Sequence, residues 1–170
     1  MIDSKFVLLA PAILALSLAA CGGGSDDTPL YCPTPFTVTD AGRLTHFKDG
    51  AGRDPRDIAY EAVLAGAATS CEVKRNQIAV TLVMRVSASA GPSVAAGPTS
   101  VPYFVRVLDG RGAVVQGQEF TADFRLSTAN PRGSSREELS LTLPRDGDFR
   151  IAVGLKPTVE ELNYNRRGRQ

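Results

Sequence analysis

Between Gln77 and Ser87 the chain alternates for eleven positions. Ile78, Val80, Leu82, Met84 and Val86 fall on one side, and Ala79, Thr81, Val83, Arg85 and Ser87 on the other. A period of two belongs to a strand with one buried face; a helix would scatter those five large side chains around its circumference. A strand this long needs neighbours and a second apolar layer. The rest of the sequence has to supply both.

The flanking sequence offers further short runs broken by turn residues. Pro35–Thr39 and Leu44–Phe47 read as strands, with Asp49-Gly50-Ala51-Gly52 as a loop after them. Cys71–Val73 leads through Lys74-Arg75-Asn76 into the long strand, as a hairpin would. Ala88–Ser100, rich in Ala, Gly, Pro and Ser, reads as a loop. Val101–Leu108 and Ala113–Gln118 flank Asp109-Gly110-Arg111-Gly112, and Asp-Gly between Val-rich runs is a strong hairpin signal. Glu119–Leu126 continues as a strand, and Ser127–Ser135 reads as a polar loop. Glu138–Leu143 and Phe149–Leu155, joined by Pro144–Asp148, complete the series.

Residues 54–66 admit two readings. Ile58, Tyr60, Ala62 and Leu64 alternate as in a strand, which is the reading preferred. Asp54-Pro55 with Asp57 and an alanine-rich continuation also resembles a helix start. Near the C-terminus, Thr158-Val159-Glu160-Glu161 has the spacing of a capping box and predicts one helical turn.

About seven strands with Gly/Pro turns and no long helices predict an all-β fold, an antiparallel immunoglobulin/fibronectin-like β-sandwich. An up-and-down barrel is the rival, because strand count does not distinguish closure from stacking.

The N-terminus has a different character. Phe6–Leu18 is apolar apart from Pro11 and Ser17, too short to span a bilayer but suited to the helix of a secretory signal. Leu18-Ala19-Ala20-Cys21 follows and resembles the lipobox of bacterial lipoproteins. That resemblance implies cleavage before Cys21 and attachment of palmitate-type acyl chains there. Two or more chains hold firmly, since each buried methylene contributes about 0.8 kcal/mol. Gly22 stands where an Asp would favour the inner membrane, so the resemblance favours the outer membrane, facing the periplasm. Gly22–Pro29 reads GGGSDDTP and behaves as a tether. Asp26 and Asp27 within it are expected to be solvated and to hold no metal.

With Cys21 lipidated, Cys32 and Cys71 remain as an even pair in an exported chain, which predicts a disulfide. The expected organisation is a signal peptide over 1–20, a flexible tether over 21–31, a sandwich over 32–165 and a basic tail over 166–170. Arg166, Arg167 and Arg169 in that tail are read as solvated.

Little here points to chemistry. Nineteen basic residues nearly balance 18 acidic ones, which argues against nucleic acid as a partner. His46 is the one imidazole, so a zinc site lacks ligands, and a surface or partly packed role is expected for it. The chain carries no Gly-x-Ser-x-Gly elbow, Ser-x-x-Lys, His-Glu-x-x-His or phosphate loop. Gly110-x-Gly112 belongs to a turn. Glu137-Glu138 and Glu160-Glu161 are adjacent, and neighbours on a strand point to opposite faces. Asp146-Gly147-Asp148 suits a turn without calcium. No catalytic residue, metal or cofactor is assigned.

The lipobox, Cys32-Pro33, Gly42-Arg43-Leu44-Thr45-His46-Phe47, Ser70-Cys71 and Val101-Pro102-Tyr103-Phe104-Val105 occur in an order similar to that of a group of small, uncharacterised proteobacterial envelope lipoproteins. The resemblance implies an envelope location and a β-rich domain, and it carries no active site. The expected function is therefore a lipid-anchored, non-catalytic binding or scaffolding module. Its partners would be the membrane, through the anchor, and other envelope proteins. Two alternatives remain: an envelope hydrolase using clustered carboxylates, and a carrier of an apolar ligand, which would need an interior cavity.

Overall fold

A computed structural model describes residues 32–50 and 52–167. The signal segment, Cys21 and its tether, and Gly168–Gln170 lie outside the described residues. Eight strands form: β1 (Pro35–Thr37), β2 (Arg43–Phe47), β3 (Ile58–Val73), β4 (Gln77–Ala90), β5 (Gly97–Asp109), β6 (Val114–Leu126), β7 (Arg132–Pro144) and β8 (Phe149–Leu155), followed by helix α1 (Val159–Arg167). They make two four-stranded sheets, ordered β1-β8-β5-β6 and β2-β3-β4-β7. All pairings are antiparallel except β1 with β8. The architecture is an all-β sandwich, with β6 and β7 at the edges of different sheets.

The alternation in β4 does what its period requires. Ile78, Val80, Leu82, Met84 and Val86 are at most 5% exposed. They pack between the sheets against Val101, Tyr103, Val105 and Val107 of β5 and Ile151, Val153 and Leu155 of β8. Each such side chain contributes about 1.5–3 kcal/mol by leaving water.

Several expected boundaries move. Residues 54–66 contain both predicted signals in succession. The Asp54 carboxylate accepts the Arg56 N–H at 2.9 Å and caps only a 3-10 turn, Pro55–Asp57, after which β3 begins. Cys71–Val73 is the end of that same sixteen-residue strand. A bulge between Leu64 and Gly66 keeps its register with β4, and Gly66 there takes a φ of +148°, open to glycine at little cost. The expected loops shrink because cross-strand pairing overrides weak local propensity. β4 runs on to Ala90, β5 starts at Gly97, and β7 starts at Arg132, inside the stretch read as loop.

The edges are managed by side chains. Glu137 points inward on edge strand β7, accepting the Tyr103 hydroxyl at 3.0 Å and the Ser135 hydroxyl. An inward charge of this kind makes an edge a poor template for another strand. Edge strand β2 is covered by α1. Asn165 donates to the Arg43 carbonyl at 3.0 Å, and Tyr164 meets Phe47 edge-on with ring centroids 4.9 Å apart.

The predicted single helical turn is thus a nine-residue helix. Arg166 and Arg167 belong to it rather than to a solvated tail, and Arg166 binds the Asp40 carboxylate at 2.6 Å. Cys32 and Cys71 form the expected disulfide, with α-carbons 5.7 Å apart. Thr69 donates to the Pro33 carbonyl at 2.7 Å beside it.

Candidate functional site

The sandwich has two unlike ends. One carries the tight β3–β4 and β5–β6 hairpin turns and the disulfide. The other gathers longer connections, 48–57 and 91–96, with the start of α1. There the sheets part over a cleft of about 690 Å3, floored by Leu44 and Tyr60 and bounded by Val94, Pro98 and Pro102. Its size is in the range of small-ligand pockets.

His46 and Tyr60 are opposite one another across β2 and β3, and their rings stack at 4.7 Å. Glu161, on the first turn of α1, is only 5% exposed. One of its carboxylate oxygens accepts the Thr158 N–H at 2.7 Å, while the Thr158 hydroxyl accepts the Glu161 N–H at 3.3 Å. This is the capping box expected from the sequence. The other carboxylate oxygen lies 2.8 Å from His46 Nδ1. With the carboxylate as acceptor, Nδ1 supplies the proton of this bond and Nε2 is left as the ring's other polar atom. The Tyr60 hydroxyl donates to the Ser100 carbonyl at 3.3 Å, joining the two sheets across the cleft. Burial, aided by the Glu161 charge, pushes the Tyr60 phenol up to about 12.

An imidazole oriented by a carboxylate is two thirds of a nucleophilic triad. The third member would be a hydroxyl or thiol bonded to that ring. Two serines line the cleft, and each donates elsewhere: Ser93 to the Arg56 carbonyl at 2.8 Å, Ser100 to Asp123 at 2.6 Å. Among the described residues no Ser, Thr or Cys hydrogen-bonds to His46.

The paired carboxylates diverge as well. Glu160 turns outward to Arg53 while Glu161 faces His46, and Glu137 points inward while Glu138 faces Arg136 at the surface. No group of three or more His, Cys, Asp or Glu suited to a metal occurs among the described residues. Asp26 and Asp27 fall outside them. No helix among the described residues is long and apolar enough to cross a membrane.

His46, Thr158 and Glu161 each stand out in the sequence, but nothing there joins His46 to Glu161 across 115 positions or marks Tyr60 as part of the site. The capping spacing was the available signal, because a capping Glu retains a second oxygen for another partner.

Neither a protein-family model nor a curated protein matches this sequence. Among solved structures, a β-glucuronidase from glycoside hydrolase family 2 is similar over 54% of this chain and 9% of its own, at 10% identity and a TM-score of 0.40. A likeness of that degree bears on neither fold nor chemistry.

Proposed function

We propose that this protein is a lipid-anchored module of the cell envelope that binds another envelope component in the cleft between its sheets, without catalysis. The observation that carries the non-catalytic reading is the engagement of Ser93 and Ser100 away from His46. A buried carboxylate, a stacked imidazole and a phenol then serve to fix the shape of the cleft and to present polar groups at its floor.

The anchoring part of the proposal rests on the lipobox at Leu18–Cys21. Acylation of Cys21 would hold the chain at a membrane surface facing the periplasm, with the outer membrane favoured. The disulfide supports a particular presentation. Cys71 lies eleven residues along β3 from Tyr60, roughly 35 Å at the usual strand rise. The root of the tether is therefore bonded near the end of the sandwich opposite the cleft. A chain held through Cys21 points the cleft away from the bilayer.

Two measurements test this. Metabolic palmitate labelling is expected for the native chain and not for Cys21→Ser; label that persists in the variant contradicts the anchor. A photo-crosslinking residue at Ala95, on the cleft rim, is expected to capture an envelope component in the native host. One at Arg111, in the opposite hairpin turn, is expected to capture lipid. Lipid adducts from Ala95 would reverse the orientation and sink the proposal.

A further inference from the structure

The outward face of sheet β2-β3-β4-β7 lies apart from the cleft and carries hollows of its own. Strand register lays it out as a grid. Arg43, Val63, Ser87 and Ser134 stand side by side across the four strands. The next row toward the cleft end is Thr45, Glu61, Ser89 and Arg132, and on the other side Gly66 and Arg85 are followed by Arg136.

Three features set this face apart from ordinary solvated surface. First, it is hollowed: a concavity of about 600 Å3 lies over Ser87 and Ser89, walled by Arg43, Glu61 and Arg132. An adjoining hollow of about 470 Å3 shares Arg43 and Glu61 and continues over the β2 edge to Tyr164. Second, its charge is poorly compensated. Arg85 and Arg136 are directly opposite on β4 and β7, an arrangement that disfavours the sheet. Arg136 has Glu138 at 3.9 Å, but Arg43, Arg85 and Arg132 have no carboxylate partner among the described residues. Third, the floor is hydroxylated. Ser87 and Ser134 are 3.4 Å apart, Arg85 reaches Ser134 at 3.4 Å, and Glu61, bonded by Thr45 at 3.5 Å, adds an acceptor.

Guanidinium groups grip carboxylate and phosphate oxygens through paired N–H donors. A bare anion would be repelled by Glu61, which sits among the arginines. A ligand that carries both an anion and hydroxyl groups uses every part of the grid. Its anion meets Arg43, Arg85 or Arg132, and its hydroxyls donate to Glu61 and exchange bonds with the serines. Its C–H faces lie on Val63. We propose that this face binds an acidic saccharide, a sugar chain bearing carboxylate or phosphate groups, and that the paired hollows accommodate more than one sugar unit.

The test is titration calorimetry of the folded protein with three oligosaccharides: a galacturonate oligomer, a mannose 6-phosphate oligomer and a neutral galactose oligomer. Binding of one or both acidic chains, weakening with added salt and at least tenfold tighter than the neutral chain, is expected; which acidic chain binds identifies the anion. Arg132→Gln and Arg85→Gln should each weaken it about tenfold, the scale of one charge-assisted contact. Arg111→Gln, in a distant turn, should leave it unchanged. Unaltered circular dichroism and melting separate lost contacts from lost folding. Equal affinity for all three chains overturns the proposal, as does binding insensitive to both sheet arginines. Inorganic phosphate competing as strongly as the oligosaccharides would show a simple anion site and equally overturn it.

Discussion

Glu161 is held by two partners through its carboxylate, the Thr158 N–H and His46 Nδ1, from a position almost out of water. Glu161→Ala removes the reciprocal cap and leaves the imidazole without its acceptor. We expect a loss of about 1–2 kcal/mol in urea denaturation, the range of a lost helix cap. Thr158→Ala should cost about 1 kcal/mol, and a Glu161→Ala loss no larger would mean that the His46 bond adds nothing. Tyr60 supplies a pH test. Its folded-state value is raised to about 12 by burial and then by Glu161, whereas the unfolded phenol titrates near 10. A raised value stabilises the folded protein fully below about pH 10, and that contribution is lost as pH rises through about 12. Melting should therefore fall across that window, less so in Tyr60→Phe, and phenolate absorbance of the folded native chain should report the late titration. A Tyr60 that ionises near 10 in the folded state would remove the burial argument.

Among the elements, the 91–96 connection and α1 shape the cleft, and each is tied down by specific contacts. The Gly91 N–H bonds to the Ala59 carbonyl at 2.8 Å, and a β-carbon at Gly91 would fall on the Ile58 carbonyl. Gly91→Ala should therefore push this connection off β3 and destabilise by about 1–3 kcal/mol, as overpacking does. An unchanged melting temperature would show that the backbone yields freely. Helix α1 is amenable to stepwise truncation. Deleting 166–170 removes, among the described residues, the exposed Arg166 ion pair to Asp40 and should cost no more than about 1 kcal/mol. Deleting 159–170 also removes Glu161, Tyr164 and Asn165 and bares the β2 edge, so a much larger loss is expected. Equal losses from the two deletions would contradict the packing of α1. Capping and turn chemistry were visible in Thr158, Glu161 and Asp54. Their extent was not, because the length of a helix or strand depends on what packs against it.

For the molecule as a whole, the disulfide is the strongest single constraint. It joins positions 39 apart, and in the chain-entropy model a loop of that size stabilises by about 4 kcal/mol. The Cys32→Ala/Cys71→Ala double variant should unfold at markedly lower urea concentration, and reductant should shift the native chain the same way. A native chain insensitive to reductant when partly unfolded would show that the bridge contributes little. The same bond ties the start of the described domain to the hairpin end of the sandwich, opposite the cleft. The sheet face bearing Arg43, Arg85 and Arg132 runs between the two ends and is open whichever way the cleft points.

The sequence by itself determined that the chain is a β protein with a strand buried on one face, because the period-2 alternation at Gln77–Ser87 puts five large side chains on one side; it left stacking of two sheets and closure into a barrel both open. The Thr158–Glu161 cap was legible because it rests on residue type and local spacing, and the Cys32–Cys71 pair because two cysteines remain once Cys21 is set aside for the lipobox. Only the tertiary structure decided the order of the strands, the meeting of His46 with Glu161, and the gathering of four arginines on one face. Those depend on register between distant segments, which is set by the summed packing of the whole core rather than by any short stretch of chain.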